Sequence, residues 1–198
     1  QWLGASRVLG GLCYIGAALD SHGDVRHIGA TPGITFGEIS GERSARAKAI
    51  LEVLGRTTIA AVLSDNIIQA MWEKLVMLAS MAVVTTLTRA VIGEIMAART
   101  GESFARAALA ECEAVAAAEG HPSTAPAIER TRLMLMTRGS PLTSSMMRDL
   151  VAGGRTEGDH VIGDMVRRAQ ARGMETPLLT AALCNLDIHE AKRVGASS

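Results

Sequence analysis

The chain is poor in the residues that mark cross-linked scaffolds and nucleic-acid readers. Its 198 residues include three cysteines, Cys13, Cys112 and Cys184, far apart and odd in number. They match no metal-ligand spacing, and reduced thiols in a cytoplasmic protein are the simplest reading. Aromatic residues make up only 3%, and Lys+Arg and Asp+Glu are each 20, so the formal net charge is zero. Without a basic excess or aromatics for base stacking, no nucleic-acid partner is expected. No membrane partner is expected either. The longest apolar stretch, residues 75–87, is short for a span and is interrupted by Ser80, Thr85 and Thr86. No charged leader precedes an apolar core and cleavage site, so no signal peptide is expected. His22, His27, His121, His160 and His189 show no ligand spacing, and no metal site is expected.

What is present is a globular balance, 48% hydrophobic and 20% charged. The pattern changes near residue 64. Before it, segments are short and rich in glycine and β-branched residues. Residues 7–19 read as a strand, 20–24 as a turn and 25–29 as a second strand. Thr31-Pro32-Gly33 reads as another turn before 34–37. Helical spacing follows over 41–54, then one more strand over 57–62. Strands, a helix and a strand read as the end of an α/β domain.

After residue 64 the pattern is helical. Asp65 is placed to cap a helix running to about residue 84. Further helices are expected over 102–119, 128–138, 143–152, 157–172 and 177–194. Gly120, Gly153-Gly154 and Gly173 act as stops, and Pro177 opens the last. The fold expected is α+β: residues 1–63 as the end of a dinucleotide-binding domain, then an all-α domain of about six helices over 64–198.

Two local patterns carry chemistry. At about 100° per residue, Ile68, Met71, Trp72, Leu75, Val76 and Ala79 form an apolar stripe, with Glu73 opposite beside Asn66 and Gln69. Lys74 falls on the flank of the stripe, beside Ile67 and Leu78. A lysine there either snorkels out of the core or sits at the edge of a cleft. In a cleft, its ammonium could hydrogen-bond a carbonyl oxygen and protonate it as charge develops. The second pattern is Ser144-Ser145-Met146-Met147-Arg148-Asp149, followed by Gly153-Gly154-Arg155-Thr156-Glu157. Taken alone, Ser144 could cap a helix, and Glu157 could sit at a helix start where the dipole favours a carboxylate.

Together these patterns resemble the ketopantoate reductase (2-dehydropantoate 2-reductase) family. Trp72-Glu73-Lys74-Leu75 resembles its Trp-x-Lys-Leu. Ser144-Ser145-Met146-x-x-Asp149 and the run Gly154-Arg155-Thr156-Glu157 resemble its second motif. Val8-Leu9-Gly10-Gly11, Gly23 to His27, Phe36-Gly37-Glu38 and Arg43 to Arg46 resemble the late Rossmann strands and helix. Arg172-Gly173-x-x-Thr176-Pro177 resembles the run into the last helix. The likeness implies a Rossmann-type end followed by a helical domain like the C-terminal domain of 6-phosphogluconate dehydrogenases. It implies NADPH-dependent reduction of a 2-oxo acid by the full-length protein, with a homodimer through the helical domain as a possible assembly. It implies Lys74 as general acid. Glu157 would hold the nicotinamide end, or the lysine and the substrate hydroxyl. Ser145 would bind the substrate carboxylate or a nearby oxygen.

The sequence departs from the family where amide side chains are usual. Leu78, Ala82-Val83 and Leu142 stand where asparagines, one followed by proline, are typical. Aliphatic groups cannot replace those hydrogen bonds, which implies a more apolar substrate or lost activity. The phosphate-binding Gly-x-Gly-x-x-Gly turn is not in this sequence: Gly10-Gly11 followed by Gly16 has the wrong spacing. It is expected in a preceding segment of about one hundred residues, the size of a small domain. The start at Gln1 without Met fits a fragment that binds dinucleotide poorly alone. Two rival readings are a related hydroxyacid dehydrogenase with a more apolar substrate and a non-catalytic helical association module.

Overall fold

The computed structural model describes residues 4–20 and 22–195. The chain divides into two compact units, residues 1–74 and 75–198. In the first, strand β1 (Leu9–Leu19) pairs antiparallel with β2 (Val25–Glu38), and β3 (Ala60–Leu63) pairs parallel with β2. A parallel neighbour needs a crossover, and helix α1 (Ala45–Leu54) supplies it. At the β1–β2 turn, the Asp20 carboxylate accepts from the backbone N–H of His22 (2.9 Å) and Asp24 (3.0 Å), and Gly23 takes a positive φ of 86°. Ser21 of the expected turn lies outside the described residues.

The expected turn at Thr31-Pro32-Gly33 is not a turn. β2 runs through it, and the irregularity appears in the pairing instead. Register passes from Tyr14↔Gly33 to Gly16↔Ile28, so four residues of β2 bulge opposite Ile15. A bulge accommodates a proline that has no N–H for the ladder. The sheet packs Phe36 and Leu63 against Ala47 of α1, with Leu9, Leu51 and Leu54 around them. Burying Phe36 contributes about 2–3 kcal/mol. At the end of β2, buried Glu38 accepts from Arg46 Nε (2.7 Å), Arg46 Nη2 (2.5 Å) and Ser44 Oγ (2.5 Å). Ser44 also caps α1, accepting from the Ala47 N–H at 3.2 Å.

Helix α2 (Ile67–Thr88) begins on this sheet. Its cap is Asn66, whose Oδ1 accepts from the Gln69 N–H at 3.2 Å. The expected cap, Asp65, is instead drawn to Arg43 (Nε to Oδ1, 2.5 Å). The expected stripe is also rotated: Ile67 is 1% exposed while Met71 is 39% exposed. The reason is the floor beneath it. A Cβ at Gly10 would stand 2.8 Å from Ile67 Cγ2, and one at Gly37 would stand 3.4 Å from Ile67 Cβ. Two side-chain-free positions thus make the seat into which Ile67 drops.

In the second unit the later turns of α2 are buried from Ala79 to Thr86. Helices α3 (Ile92–Ala97), α4 (Gly101–Ala118), α5 (Ala125–Met136), α6 (Ser145–Val151), α7 (Asp164–Ala171) and α8 (Pro177–Gly195) complete it among the described residues. Thr85 Oγ1 meets Ser144 Oγ at 2.7 Å, and Asn185 Nδ2 donates to Thr86 O at 3.3 Å, so α2 touches the start of α6 and the middle of α8. By length and composition α2 could cross a membrane (22 residues, mean hydropathy 1.5), contrary to the expectation above. The hydroxyls that interrupt its apolar run are silenced by bonds to the preceding turn: Ser80 to Val76 O, Thr85 to Met81 O and Thr86 to Ala82 O, each 2.7 Å. Here the same residues fill a protein interior.

Helix α3 was not anticipated; six residues hold too little periodicity. Close backbone approach makes it. A Cβ at Gly93 would stand 2.7 Å from Gly139 C, and one at Gly101 would collide with Ile95 O. The helix expected over 157–172 forms, with its first turns π-wound and running straight into α7. A π-helical turn, Asp159–Gly163, precedes α7. Arg167 bridges it, with Nη1 on Asp159 Oδ1 (2.5 Å) and Nη2 on Asp159 O (3.1 Å).

The bonds from Arg46 and Ser44 hold the Glu38 carboxyl at about 2, below its ordinary 4.5. A depressed carboxylate stabilises the fold above its unfolded pKa and loses that contribution as pH falls through the folded value. Stability should therefore decline from about pH 4.5 to about pH 2. Glu38→Gln should make this slope shallower in urea titrations across that window, while an unchanged slope would locate the acid sensitivity elsewhere.

Candidate active site

Lys74 lies seven residues, nearly two turns, beyond Ile67 on α2 and shares its flank. Seating Ile67 on the glycine floor therefore turns Lys74 toward the sheet. Its stem is half-buried, and its Nζ donates to Cys13 O at 2.5 Å. The same nitrogen stands 5.3 Å from the centroid of the Tyr14 ring. The ammonium is thus held against β1. Glu73, expected on the opposite face, accepts from Gln69 Nε2 at 3.3 Å.

The second motif belongs to the helical unit. Ser144 is the cap of α6 and is buried: its Oγ accepts from the Met147 N–H at 3.0 Å and shares a hydrogen bond with Thr85. Ser145 begins α6 and is exposed. The two serines divide into one structural hydroxyl and one available to a ligand. Glu157 is exposed ahead of the π-helical turn, and its carboxylate has no hydrogen-bond partner among the described residues. Lys74 belongs to the first unit, and Ser145 and Glu157 to the second.

The loop before Glu157 is held by residues the sequence reading passed over. The Gly154 N–H donates to Asp149 O (2.8 Å), closing α6 after Gly153 at φ 71°. His189 Nε2 bonds Gly154 O at 2.7 Å. Glu190 accepts from both the N–H (2.7 Å) and the hydroxyl (3.0 Å) of Thr156, and also from Arg193 Nε (2.9 Å). Those donors lower the Glu190 carboxyl to about 2. Consecutive residues of α8 thus clamp Gly154 and Thr156. No local signal identifies them, because the contacts span more than thirty positions. A further carboxylate, Glu111 of α4, accepts from the N–H groups of Leu178 and Leu179, each at 3.0 Å, at the start of α8. A concavity of about 500 Å³, lined by Leu87, Ala90, Glu94, Ile95 and Phe104 among others, contains none of the motif residues.

The division between the serines is measurable. Ser144→Ala should cost about 1–3 kcal/mol, since it removes a cap and a buried hydrogen bond to Thr85, whose own bond to Met81 O remains. Ser145→Ala should change stability by less than about 0.5 kcal/mol. Urea unfolding of both variants checks this; equal losses would contradict the assignment of roles.

Comparison with known proteins accords with the motifs. Residues 66–189 match the family described as ketopantoate reductase PanE/ApbA C terminal. The uncharacterized oxidoreductase YkpB of Bacillus subtilis (strain 168) is 35% identical over 94% of this chain and 62% of its own length. The 2-dehydropantoate 2-reductase of Halobacterium salinarum is 29% identical over 88% of this chain and 57% of its own. A solved D-mandelate dehydrogenase, in a ternary structure with NADH and anilino(oxo)acetate, shares the fold at a TM-score of 0.82. Its identity is 21%, over 96% of this chain and 62% of that one. The chain therefore spans about three fifths of the length of such relatives. With a family match over most of its length and motifs in the same order, this chain belongs to the ketopantoate reductase family of oxidoreductases, as the end of a Rossmann-type domain followed by the helical C-terminal domain.

Proposed function

We propose that the intact protein carrying this chain reduces a 2-oxo acid to a 2-hydroxy acid, with NADPH as the electron donor and Lys74 as the general acid. The observation that supports this most is the ammonium of Lys74, held by a neutral carbonyl and an aromatic ring. No carboxylate bond to its Nζ is seen among the described residues, so its proton is not engaged by a stronger acceptor. A reduced nicotinamide, when bound, supplies the hydride. This chain's residues do the rest. Lys74 donates a proton to the carbonyl oxygen as negative charge develops there. Ser145 offers an exposed hydroxyl to the substrate carboxylate. Glu157 offers an unpartnered carboxylate to the nicotinamide end or to the substrate hydroxyl. Its loop is made rigid by Glu190 and His189. The described residues contain no glycine-rich strand-to-helix turn for a pyrophosphate, so the fit to a dinucleotide extends only to that end.

One observation favours an apolar substrate over ketopantoate. Of the aliphatic residues standing at the family's asparagine and asparagine-proline positions, Ala82 and Val83 are buried at 2% and 0%, and serve the core of the helical unit. Leu78 and Leu142 are about two-fifths exposed. Leu78 follows Lys74 by one helical turn, so an apolar surface adjoins the proton donor along α2. Such a surface accepts a hydrocarbon side chain and gives no hydrogen bond to a hydroxylated one.

Two measurements on the intact protein test the reading. Lys74→Ala should lower kcat by about a hundredfold or more with NADPH and any accepted 2-oxo acid. Unchanged turnover would instead support a non-catalytic association module. Across a panel of 2-oxo acids, kcat/KM should favour branched or aromatic side chains over ketopantoate. Leu78→Asn should shift that ratio toward ketopantoate by about tenfold or more. A wild-type preference for ketopantoate would overturn the apolar assignment.

A further inference from the structure

On β1 stands this chain's single tyrosine, Tyr14, with no evident structural duty. Tyr14 is 52% exposed, so core burial does not explain it. Its cross-strand partner is Gly33, which has no side chain to pack against the ring. The pairing then breaks: the next residue, Ile15, faces the bulge of β2. Bulges re-aim the side chains beside them, and a glycine partner leaves the ring room to lean. The ring lies instead over the Lys74 ammonium, 5.3 Å from centroid to nitrogen.

Helix and strand run in step to produce this meeting. From Ile67 to Lys74 the helix rises about 10 Å, at about 1.5 Å per residue. From Gly10, under Ile67, to Cys13 and Tyr14 the strand advances about 10–13 Å, at about 3.3 Å per residue. A side chain seated at Gly10 therefore brings the lysine two turns later over Tyr14. A lysine has a four-carbon stem and three N–H donors that rotate freely, so as a proton donor it needs something to fix it. The Cys13 carbonyl takes one N–H. The Tyr14 ring offers its negative face to the ammonium without taking up a second N–H in a directed bond. Two N–H groups are then left, one of them for a substrate oxygen.

Resting on the reading of Lys74 as the acid, we propose that Tyr14 is its positioning residue, acting through its ring face and not its hydroxyl, with the Cys13 carbonyl as the second point of contact. Because half of Tyr14 is solvent-exposed, its replacement should leave the fold intact.

The experiment uses the intact protein with NADPH and its best 2-oxo acid. Tyr14→Phe should keep kcat within about twofold. Tyr14→Leu should lower kcat by about threefold to tenfold, the range of a lost cation–π contact at a half-exposed ring, with KM within about twofold. In protein labelled with ¹³C-lysine, the Lys74 ε-methylene, assigned by its absence in Lys74→Ala, should be shifted upfield by the ring. The shift should persist in Tyr14→Phe and vanish in Tyr14→Leu. A full-rate Tyr14→Leu beside an inactive Lys74→Ala would overturn the positioning role and leave the reductase reading standing. An active Lys74→Ala would overturn both. Equal losses in the Phe and Leu variants, or an unshifted Lys74 signal in the unmodified protein, would also overturn the proposal.

Discussion

The contact between Ile67 and the bare backbone of Gly10 and Gly37 governs how the rest of the first unit is arranged. A helix laid on a sheet can rotate about its axis by tens of degrees and still bury apolar area, because hydrophobic burial is not directional. A side chain dropped into a two-glycine seat removes that freedom. With Ile67 down, the residues on its flank follow at helical spacing, and Lys74 reaches β1 at Cys13 and Tyr14. Any side chain at Gly10 would stand within 2.8 Å of Ile67 and force the helix to turn or lift. The ammonium would then lose its carbonyl and its ring.

The helical unit solves a different problem, which is how to bury a long helix that carries hydroxyls. Ser80, Thr85 and Thr86 each return a hydrogen bond to their own helix, so they enter the core without unmet donors. Thr85 has capacity left for Ser144, and that bond ties the α6 cap to the core. Cys112 sits among the same residues, near Ser80, and burial pushes its thiol up to about 12. It is core filling, unlike Cys13 and Cys184, which are exposed. Around this core, carboxylates placed by distant helices finish the polar accounting. Glu111 meets the first N–H groups of α8, Glu119 joins Arg168 and Arg172 of the α7 region, and Glu190 holds Thr156.

Family membership and family chemistry separate at the aliphatic substitutions. Read along the chain, Leu78, Ala82, Val83 and Leu142 form one class of change. In the fold they form two. Ala82 and Val83 are enclosed, where the amide usual at the first of the two would need partners that a helical core does not offer. Leu78 and Leu142 remain at the surface, where an aliphatic group gains little by being there and changes what can bind. Only the second pair bears on the specificity proposed above.

The amino-acid order alone determined most of the element types and their sequence. Alternation and helical spacing are local properties, and glycines at Gly120, Gly153 and Gly173 mark helix ends wherever the chain is placed. The motif residues, and the odd position of Lys74 beside an apolar stripe, were legible for the same reason. Tertiary structure decided what required a partner far along the chain. It made Asn66 the cap by drawing Asp65 to Arg43, turned a predicted turn into a bulge, and raised helix α3 from the close approach of Gly93 and Gly101 to neighbouring backbone. It also split the two serines into cap and surface, and brought His189 and Glu190 to the loop before Glu157. Each of these depends on a contact whose energy exists only once distant segments meet, and hydrophobic periodicity carries no record of which segments those are.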